Sequence, residues 1–348
     1  VSEQRVCLFC GIYPVELFEC FDLSWEYCSN VHSTGVWEQY SIPTICEYFK
    51  KQVDFTKTPD FSEYQAFIMQ THCNAMERLY DIYHLEFGHK KIYLFQNPRD
   101  NSELGKGFYK KQLLKLITFL ETISADRFES NKLKNIIAKS KKRRRLFEYI
   151  KKCISLGLFD SSIYENYLEL TKSGRLTDKK EGEIERFLDE VSSVINKYEF
   201  KGWNKKTLLF VGSVIPGYEY FYALKGKGYS VIPVFNNLTP YDGQYATVKD
   251  YDDPLDELVE FYVGNVRNIR QGDNAEYYEY IKTCLEKYKV NAVVFFNIKF
   301  CTLNSFDTDN LLEFLEESNI PHLAVEDSYE RYFNAGVANR INAFLETI

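Results

Sequence analysis

Short apolar runs alternate along this chain with stretches of helical periodicity, and that alternation leaves few folds open to it. An apolar run at residues 5–9 leads through a turn at Gly11 to Pro14 into an amphipathic stretch from Val15 to about Phe21. A second apolar run at 65–72 is followed by a helical pattern from about Asn74 to Phe87, and a third strand at 91–95 stops at Asn97-Pro98. Strand, helix, strand in this order implies a parallel sheet with right-handed crossovers. The pattern returns from Lys206, with strands expected at 207–211, 230–234, 291–300 and 322–325. Helices are expected near 218–225, 255–262, 276–288, 309–318 and 338–348. Between the two units strands disappear and apolar residues recur at helical spacing, as in Leu113, Leu116, Ile117 and Leu120, then Leu133, Ile136 and Ile137, then Phe187, Leu188, Val191 and Val194.

The expected fold is therefore α/β, with two Rossmann-like parallel-sheet domains and an intervening helical region. Boundaries fall at 1–106 for the N-terminal α/β domain, 107–203 for the helical region and 204–348 for the C-terminal α/β domain. A chain of 348 residues is long enough for this. Its net charge of −7 argues against nucleic acid as a main partner. No apolar run approaches a membrane span, and the charged N-terminal residues lead straight into a strand, so neither membrane nor signal peptide is expected and the location reads as cytoplasmic.

Nine cysteines in such a chain suggest reduced thiols and not a disulfide framework. None has the dense local spacing of a ferredoxin or zinc ribbon, so any metal site must be assembled by the fold from distant segments. Cys46, Cys73 and Cys301 stand out. Cys73 and Cys301 end apolar runs, and Cys46 opens a helical stretch at 47–53. Ligands of open α/β sheets bind beyond the carboxyl ends of strands. A helix N-terminus favours thiolate over thiol. Three convergent thiolates with one position open suit a reactive iron–sulfur cluster better than a structural zinc site, which is closed by four ligands.

The remaining features carry less. Cys7 and Cys10 form a CxxC on an expected strand, so Cys7 reads as core, while Cys10 ends that strand and is an additional candidate ligand. Cys153 and Cys284 lie within helical patterns and read as core. His72 adjoins Cys73, and Glu326-Asp327 form an acidic pair at a strand end; His72 and Glu326 are the catalytic candidates. Gly105-Lys106-Gly107 reads as an ordinary turn, and the basic run 139–145 as a solvated helix face, with a phosphate-rich ligand such as coenzyme A, or an acidic protein partner, as its functional alternative.

At these residues the sequence resembles the 2-hydroxyacyl-CoA dehydratase family, which includes benzoyl-CoA reductase subunits and double-cubane cluster proteins, and within it a dehydratase D-component-like subunit. The resemblance lies in Tyr13-Pro14-Val15-Glu16-Leu17, in Cys46-Glu47-Tyr48-Phe49-Lys50, in Met69-Gln70-Thr71-His72-Cys73 and in Lys299-Phe300-Cys301. It is strongest in Ile320-Pro321-His322-Leu323-Ala324-Val325-Glu326-Asp327 and the stretch 339–346, Asn-Arg-Ile-Asn-Ala-Phe-Leu-Glu. Asn74 and Val337 stand where the family often has Asp and Gln.

The resemblance implies that Cys46, Cys73 and Cys301 hold a [4Fe-4S] cluster, and that the chain works beside a homologous second subunit or as a homodimer. It implies an ATP-dependent iron–sulfur activator that injects one electron, and an acyl-CoA substrate that loses its hydroxyl through a ketyl radical. Two other family readings exist. One is a low-potential reductase, benzoyl-CoA reductase-like or with a double-cubane [8Fe-9S] cluster. The other is a non-catalytic partner subunit.

Overall fold

A computed structural model describes residues 4–28, 30, 32–155, 173–174, 182, 186, 189, 193, 206–212, 224, 227–235, 251–265, 275–329 and 334–348. The first sheet contains β1 (Arg5–Leu8), β2 (Ser24–Tyr27), β3 (Ala66–Gln70) and β4 (Lys91–Phe95), in the spatial order β4-β3-β1-β2 and all parallel. The two-residue β5 (Ser173–Gly174) adds antiparallel to the outer edge of β2. The second sheet contains β6 (Lys206–Gly212), β7 (Tyr229–Phe235), β8 (Ala292–Ile298) and β9 (His322–Asp327), in the order β7-β6-β8-β9 and all parallel. The fold is thus α/β with two parallel sheets, as expected. Both sheets share one doubly wound order, in which the chain steps to one side of its first strand and then crosses to the other.

The helices are α1 (Val15–Cys20), α2 (Glu47–Phe55), α3 (Asn74–Glu86), α4 (Glu103–Leu120), α5 (Ser130–Ser155), α6 (Pro254–Val259), α7 (Ala275–Lys287), α8 (Thr302–Glu317) and α9 (Ala335–Leu345). A π-helical turn, Glu260–Asn265, continues α6. None of the described helices is long and apolar enough to cross a membrane.

Strand alternation sorts the first sheet cleanly. Val6, Leu8, Ala66 and Ile68 face a core that continues into β6, β7 and β8, whereas Cys7, Phe9, Phe67 and Met69 face a second, aromatic core. In that second core Phe61 stacks on Phe67 at 4.7 Å between ring centroids, and Phe9 and Tyr83 meet edge to face at 5.4 Å. Leu113, Leu116, Ile117 and Leu120 of α4 and Leu133, Ile136 and Ile137 of α5 are buried, which matches their helical spacing.

Several expectations need correction. β2 went unread, although Leu23-Ser24-Trp25-Glu26-Tyr27 alternates apolar and polar, and Trp25 and Tyr27 are buried. β5 is a strand within the segment expected to have none. Gly105-Lys106-Gly107 is no turn: it lies in the first turns of α4, whose N-cap Ser102 accepts from the Gly105 N–H at 3.2 Å. α8 begins at Thr302, well before the expected 309. Most of the expected helices at 187–194 and 218–225 and most of the loop at 236–275 lie outside the described residues; Asp189 and Ser193, which are described, are helical.

The basic run is a solvated face only in part. Lys139, Lys142 and Arg145 are exposed, but Arg143 and Arg144 of α5 are buried and meet two buried glutamates of α1. Arg143 makes a bidentate pair with Glu19, at 2.7 and 3.0 Å. Arg144 donates to Glu16, which also accepts from the Tyr262 hydroxyl at 2.7 Å, and the Arg144 guanidinium lies 3.2 Å from the Phe261 ring centre. Lys141 pairs with Glu257 of α6 at 2.6 Å. These cations clamp α1, α5 and α6 together, so Arg143 and Arg144 are committed to carboxylates and not to a phosphate ligand.

Removing one member of a buried pair strands the other charge, which costs about 3–5 kcal/mol. Arg144→Met should therefore lower the unfolding free energy measured by urea denaturation by that order, and the midpoint with it. The double variant Arg144→Met/Glu16→Gln, which keeps an acceptor for Tyr262, should recover a large part of the loss. Equal midpoints for Arg144→Met and the wild type would show that the pair is not buried in solution.

Candidate functional site

In a parallel sheet every strand runs toward the same edge, and each following helix begins there. In both sheets that edge carries the cysteines. Cys73 follows β3 and occupies the N-cap of α3, while Cys301 follows β8 and occupies the N-cap of α8. Cys46 occupies the N-cap of α2, whose first N–H, on Glu47, donates to the Lys299 carbonyl at 3.2 Å and so joins this helix to the end of β8. Cys10 lies two residues beyond β1.

The pairing registers make the two halves directly comparable. Leu8 of β1 faces Ile68 of β3, and Gly212 of β6 faces Phe296 of β8. Cys73 is the fifth residue after Ile68 and Cys301 the fifth after Phe296. These two cysteines therefore occupy equivalent positions in two sheets of the same order, although no repeat is visible in the sequence.

All four thiols are half-buried and border the second, aromatic core, whereas Cys7, Cys20, Cys28 and Cys284 are buried. The side chain of Cys153 lies outside the described residues. The four influence one another. Cys301 donates a hydrogen bond to the Cys46 sulfur, which lowers the Cys46 pKa from its ordinary value against the opposing effect of burial. The N–H groups of Phe49 and Tyr48 add to the lowering. The same hydrogen bond, with burial, pushes the Cys301 thiol well up. Burial pushes Cys73 up to about 12, although the Met76 and Ala75 N–H groups act the other way. Burial, then Cys73 and Cys46, raise Cys10. With no metal, Cys46 is thus the most readily deprotonated of the four.

Among the described residues no three His, Cys, Asp or Glu side chains are close enough to hold one metal ion. A single tetrahedral ion with bonds of about 2.3 Å draws its thiolates within roughly 4 Å of each other. In a cubane each thiolate binds a different iron, so the donors stand farther apart. Thiols from separate segments at one edge are a donor set that either kind of centre could use.

The helix caps at this edge differ from those elsewhere. Away from the site, Ser102, Asp253 and Asn334 cap α4, α6 and α9, each accepting a hydrogen bond from the first turn at 3.2, 2.9 and 2.9 Å. At the site the caps are cysteines, and none makes a full capping hydrogen bond. Ordinary caps contribute about 1 kcal/mol each. Three helices forgo that at the one place where they converge.

Residues that the sequence reading did not single out hold this edge in place. Gln70 is a polar residue inside an apolar run, which was its only signal. It is buried, its Oε1 accepts from the Ile12 N–H at 2.9 Å, and its Nε2 donates to the Ile12 carbonyl at 2.6 Å and to Asn97 Oδ1 at 2.9 Å. The turn after Cys10 is thereby bonded to the ends of β3 and β4. Asn297 does the same for Cys301: it donates to Ser305 Oγ at 3.0 Å and accepts from Asn304 at 2.9 Å, and Ser305 donates to the Cys301 carbonyl at 3.0 Å.

Phe300, next to Cys301, has φ +63, a conformation that a bulky residue adopts only under constraint. Its ring lies 5.2 Å from Lys50 Nζ, which also sits 4.6 Å from the Trp37 ring and pairs with Glu47 at 2.7 Å. The loop carrying Trp37 is held by buried Asp54, which accepts from the N–H groups of Thr34, Gly35 and Trp37 and from the Ser33 hydroxyl.

The catalytic candidates differ from each other. His72 is buried, and its Nδ1 lies 3.2 Å from the Gln70 carbonyl oxygen. Glu326 is exposed near the carboxyl end of β9, opposite Asn297. Its neighbour Asp327 is buried and accepts from the Ser328 N–H and from Asn334, both at 2.8 Å, which makes it a turn element.

The model of the family 2-hydroxyglutaryl-CoA dehydratase, D-component, matches residues 10–348. The chain belongs to this family. It is similar to the (R)-phenyllactyl-CoA dehydratase beta subunit of Clostridium sporogenes, with 20% identity over 353 aligned positions that cover 100% of this chain and 89% of the relative. The D-component match begins at Cys10 and takes in every cysteine at the strand edge.

The turn after Cys10 can be tested directly. Gly11 has φ +151, and a Cβ there would collide with the Gln70 side-chain oxygen. Gly11→Ala should destabilise the protein by at least about 1–2 kcal/mol and speed alkylation of Cys10 in iron-free protein. An unchanged urea midpoint together with an unchanged alkylation rate would show that this turn is not held by Gln70.

Proposed function

We propose that this D-component chain is the iron–sulfur subunit of a 2-hydroxyacyl-CoA dehydratase and holds a [4Fe-4S] cluster on Cys46, Cys73 and Cys301. One observation carries the reading: cysteines from both sheets, each at the N-cap of a helix, converge at one edge. When bound, such a cluster would supply low-potential one-electron chemistry. The chain's own residues do the rest. Three helix N-termini bring partial positive charge to an anionic group. Phe300, Lys50 and Trp37 cover one side of it, and the aromatic core beneath keeps it from water.

The relative's name, a beta subunit of a phenyllactyl-CoA dehydratase, supports a further subunit as partner and a 2-hydroxyacyl-CoA as substrate. The proposal adds that this partner is a homologous subunit or a second copy of the chain, and that an ATP-dependent iron–sulfur activator donates the electron. The working compartment is the cytoplasm. His72 is the nearer of the two catalytic candidates, since it adjoins Cys73, but its buried contact with Gln70 suits a positioning role. Glu326 lies at the carboxyl edge of the second sheet, where it can meet substrate or partner.

Anaerobically purified protein should carry about four irons and four sulfides per chain. Ser at Cys46, Cys73 or Cys301 should release iron, while Ser at Cys284 should not. Full retention in Cys301→Ser would sink the assignment. With partner, reduced activator and ATP, a 2-hydroxyacyl-CoA should give the 2-enoyl-CoA with many turnovers per electron, because dehydration has no net redox change. A fixed ratio of one or two electrons per product would make the enzyme a reductase. No turnover despite an intact cluster would leave a non-catalytic subunit.

A further inference from the structure

We infer that Cys10 supplies a fourth thiolate to the centre on Cys46, Cys73 and Cys301, which closes it; this rests on the iron–sulfur reading above. On ligation the Cys10 thiol gives its proton to solvent, and an iron–sulfur bond replaces an iron–water bond. Four thiolates leave this chain no iron position for a substrate oxygen, so activation of the acyl-CoA falls to the partner subunit.

Three observations on the fold support this. The first is position. In a doubly wound sheet the ligand crevice opens between the strands where the chain reverses direction across the sheet. Here those strands are β1 and β3, and Cys10 and Cys73 follow them. The second is exposure. Cys10 is half-buried like Cys46, Cys73 and Cys301 and borders the same aromatic core, while its CxxC neighbour Cys7 is fully buried. The third is order. The Cys10 turn is not a free loop, since Gln70 bonds both the N–H and the carbonyl of Ile12.

The surroundings favour sulfur over water as the last ligand. Tyr13, Tyr27, Tyr48 and Tyr329 are buried, and each interacts electrostatically with Cys10. The hydroxyls of the first three donate to the main-chain carbonyls of Ile68, Gly11 and Cys28, at 3.1, 3.0 and 2.9 Å. They are engaged with the backbone and not free to supply a ligand oxygen.

The test uses full-length protein reconstituted anaerobically with iron and sulfide, then treated with ferricyanide. A cubane with one non-thiolate iron sheds that iron and shows the paramagnetic signal of a three-iron cluster. The wild type should keep all its iron and stay silent. Cys10→Ser should still load, then lose one iron in four and show the signal. If wild type and variant lose iron alike, or if both resist, Cys10 is not the fourth ligand and the proposal is overturned. If Cys10→Ser does not load, the wild type decides alone: resistance supports closure, and loss of one iron overturns it. Wild-type protein that binds no iron at all would instead remove the iron–sulfur reading itself, and this proposal with it.

Discussion

The site depends on one main-chain contact, the hydrogen bond from the Glu47 N–H to the Lys299 carbonyl. It sets the N-terminus of α2 against the end of β8, so a helix that packs on the first sheet begins at the edge of the second. Tyr48 and Tyr329 reinforce the joint edge to face, at 5.0 Å between ring centroids. Without that contact Cys46 would stay with its own half and Cys301 with the other. With it, cysteines from both sheets share a hydrogen bond and the helices behind them aim at one region. The direction of a parallel sheet does the remaining work, because strand ends and helix starts fall on the same edge.

The electrostatics of the molecule divide into two kinds of buried charge. Glu16, Glu19, Arg143 and Arg144 neutralise one another between helices, and Arg144 also lies against Phe261. These pairs fix how α1 and α5 meet, and the apolar residues of α1 pack in the core that continues into β6, β7 and β8. Lys50 is different. It is nearly buried, yet its charge sits between two aromatic rings beside Cys46 and Cys301, with Glu47 as its partner. A cation kept there beside a cluster of thiols acts on whatever charge the thiols carry, while the strained Phe300 backbone shows that the ring is held over it by the surrounding packing.

Much of this was legible in the sequence. Apolar runs long enough to be buried on both faces gave β3, β6, β8 and the position of Cys73 and Cys301 at their ends. The clean helical spacing of Leu113 to Leu120 gave α4. Short elements escaped: β2 has four residues, and its alternation is set among turn residues, while β5 exists only as two residues completing an edge. The basic run misled because its partners, Glu16 and Glu19, lie more than a hundred residues away, and charge alone does not say whether a counter-ion waits in the core. Gln70, Asn297 and Asp54 act through hydrogen bonds that only the fold brings together. The sequence reading could name three cysteines, but not that all three are caps, since one residue at a strand end and one at a helix start look different until the connecting turn is seen.

The equivalence of Cys73 and Cys301 changes what binding a cluster would mean for the molecule. Two sheets of the same strand order each present a cysteine at the same register position, and Cys46 adds a third from the helix that bridges them. A group held by all three would be a link between the halves and not an ornament on one of them. Binding energy at a site made from two parts adds to the energy that keeps the parts together. The raised thiols at Cys10, Cys73 and Cys301 work against that order in the iron-free state, because burial without a metal is unfavourable for the charged form that a metal needs. The same edge that is poorly suited to free thiolates would suit a cluster that takes their protons away. Docking of the two sheets and loading of such a site would then be aspects of one equilibrium.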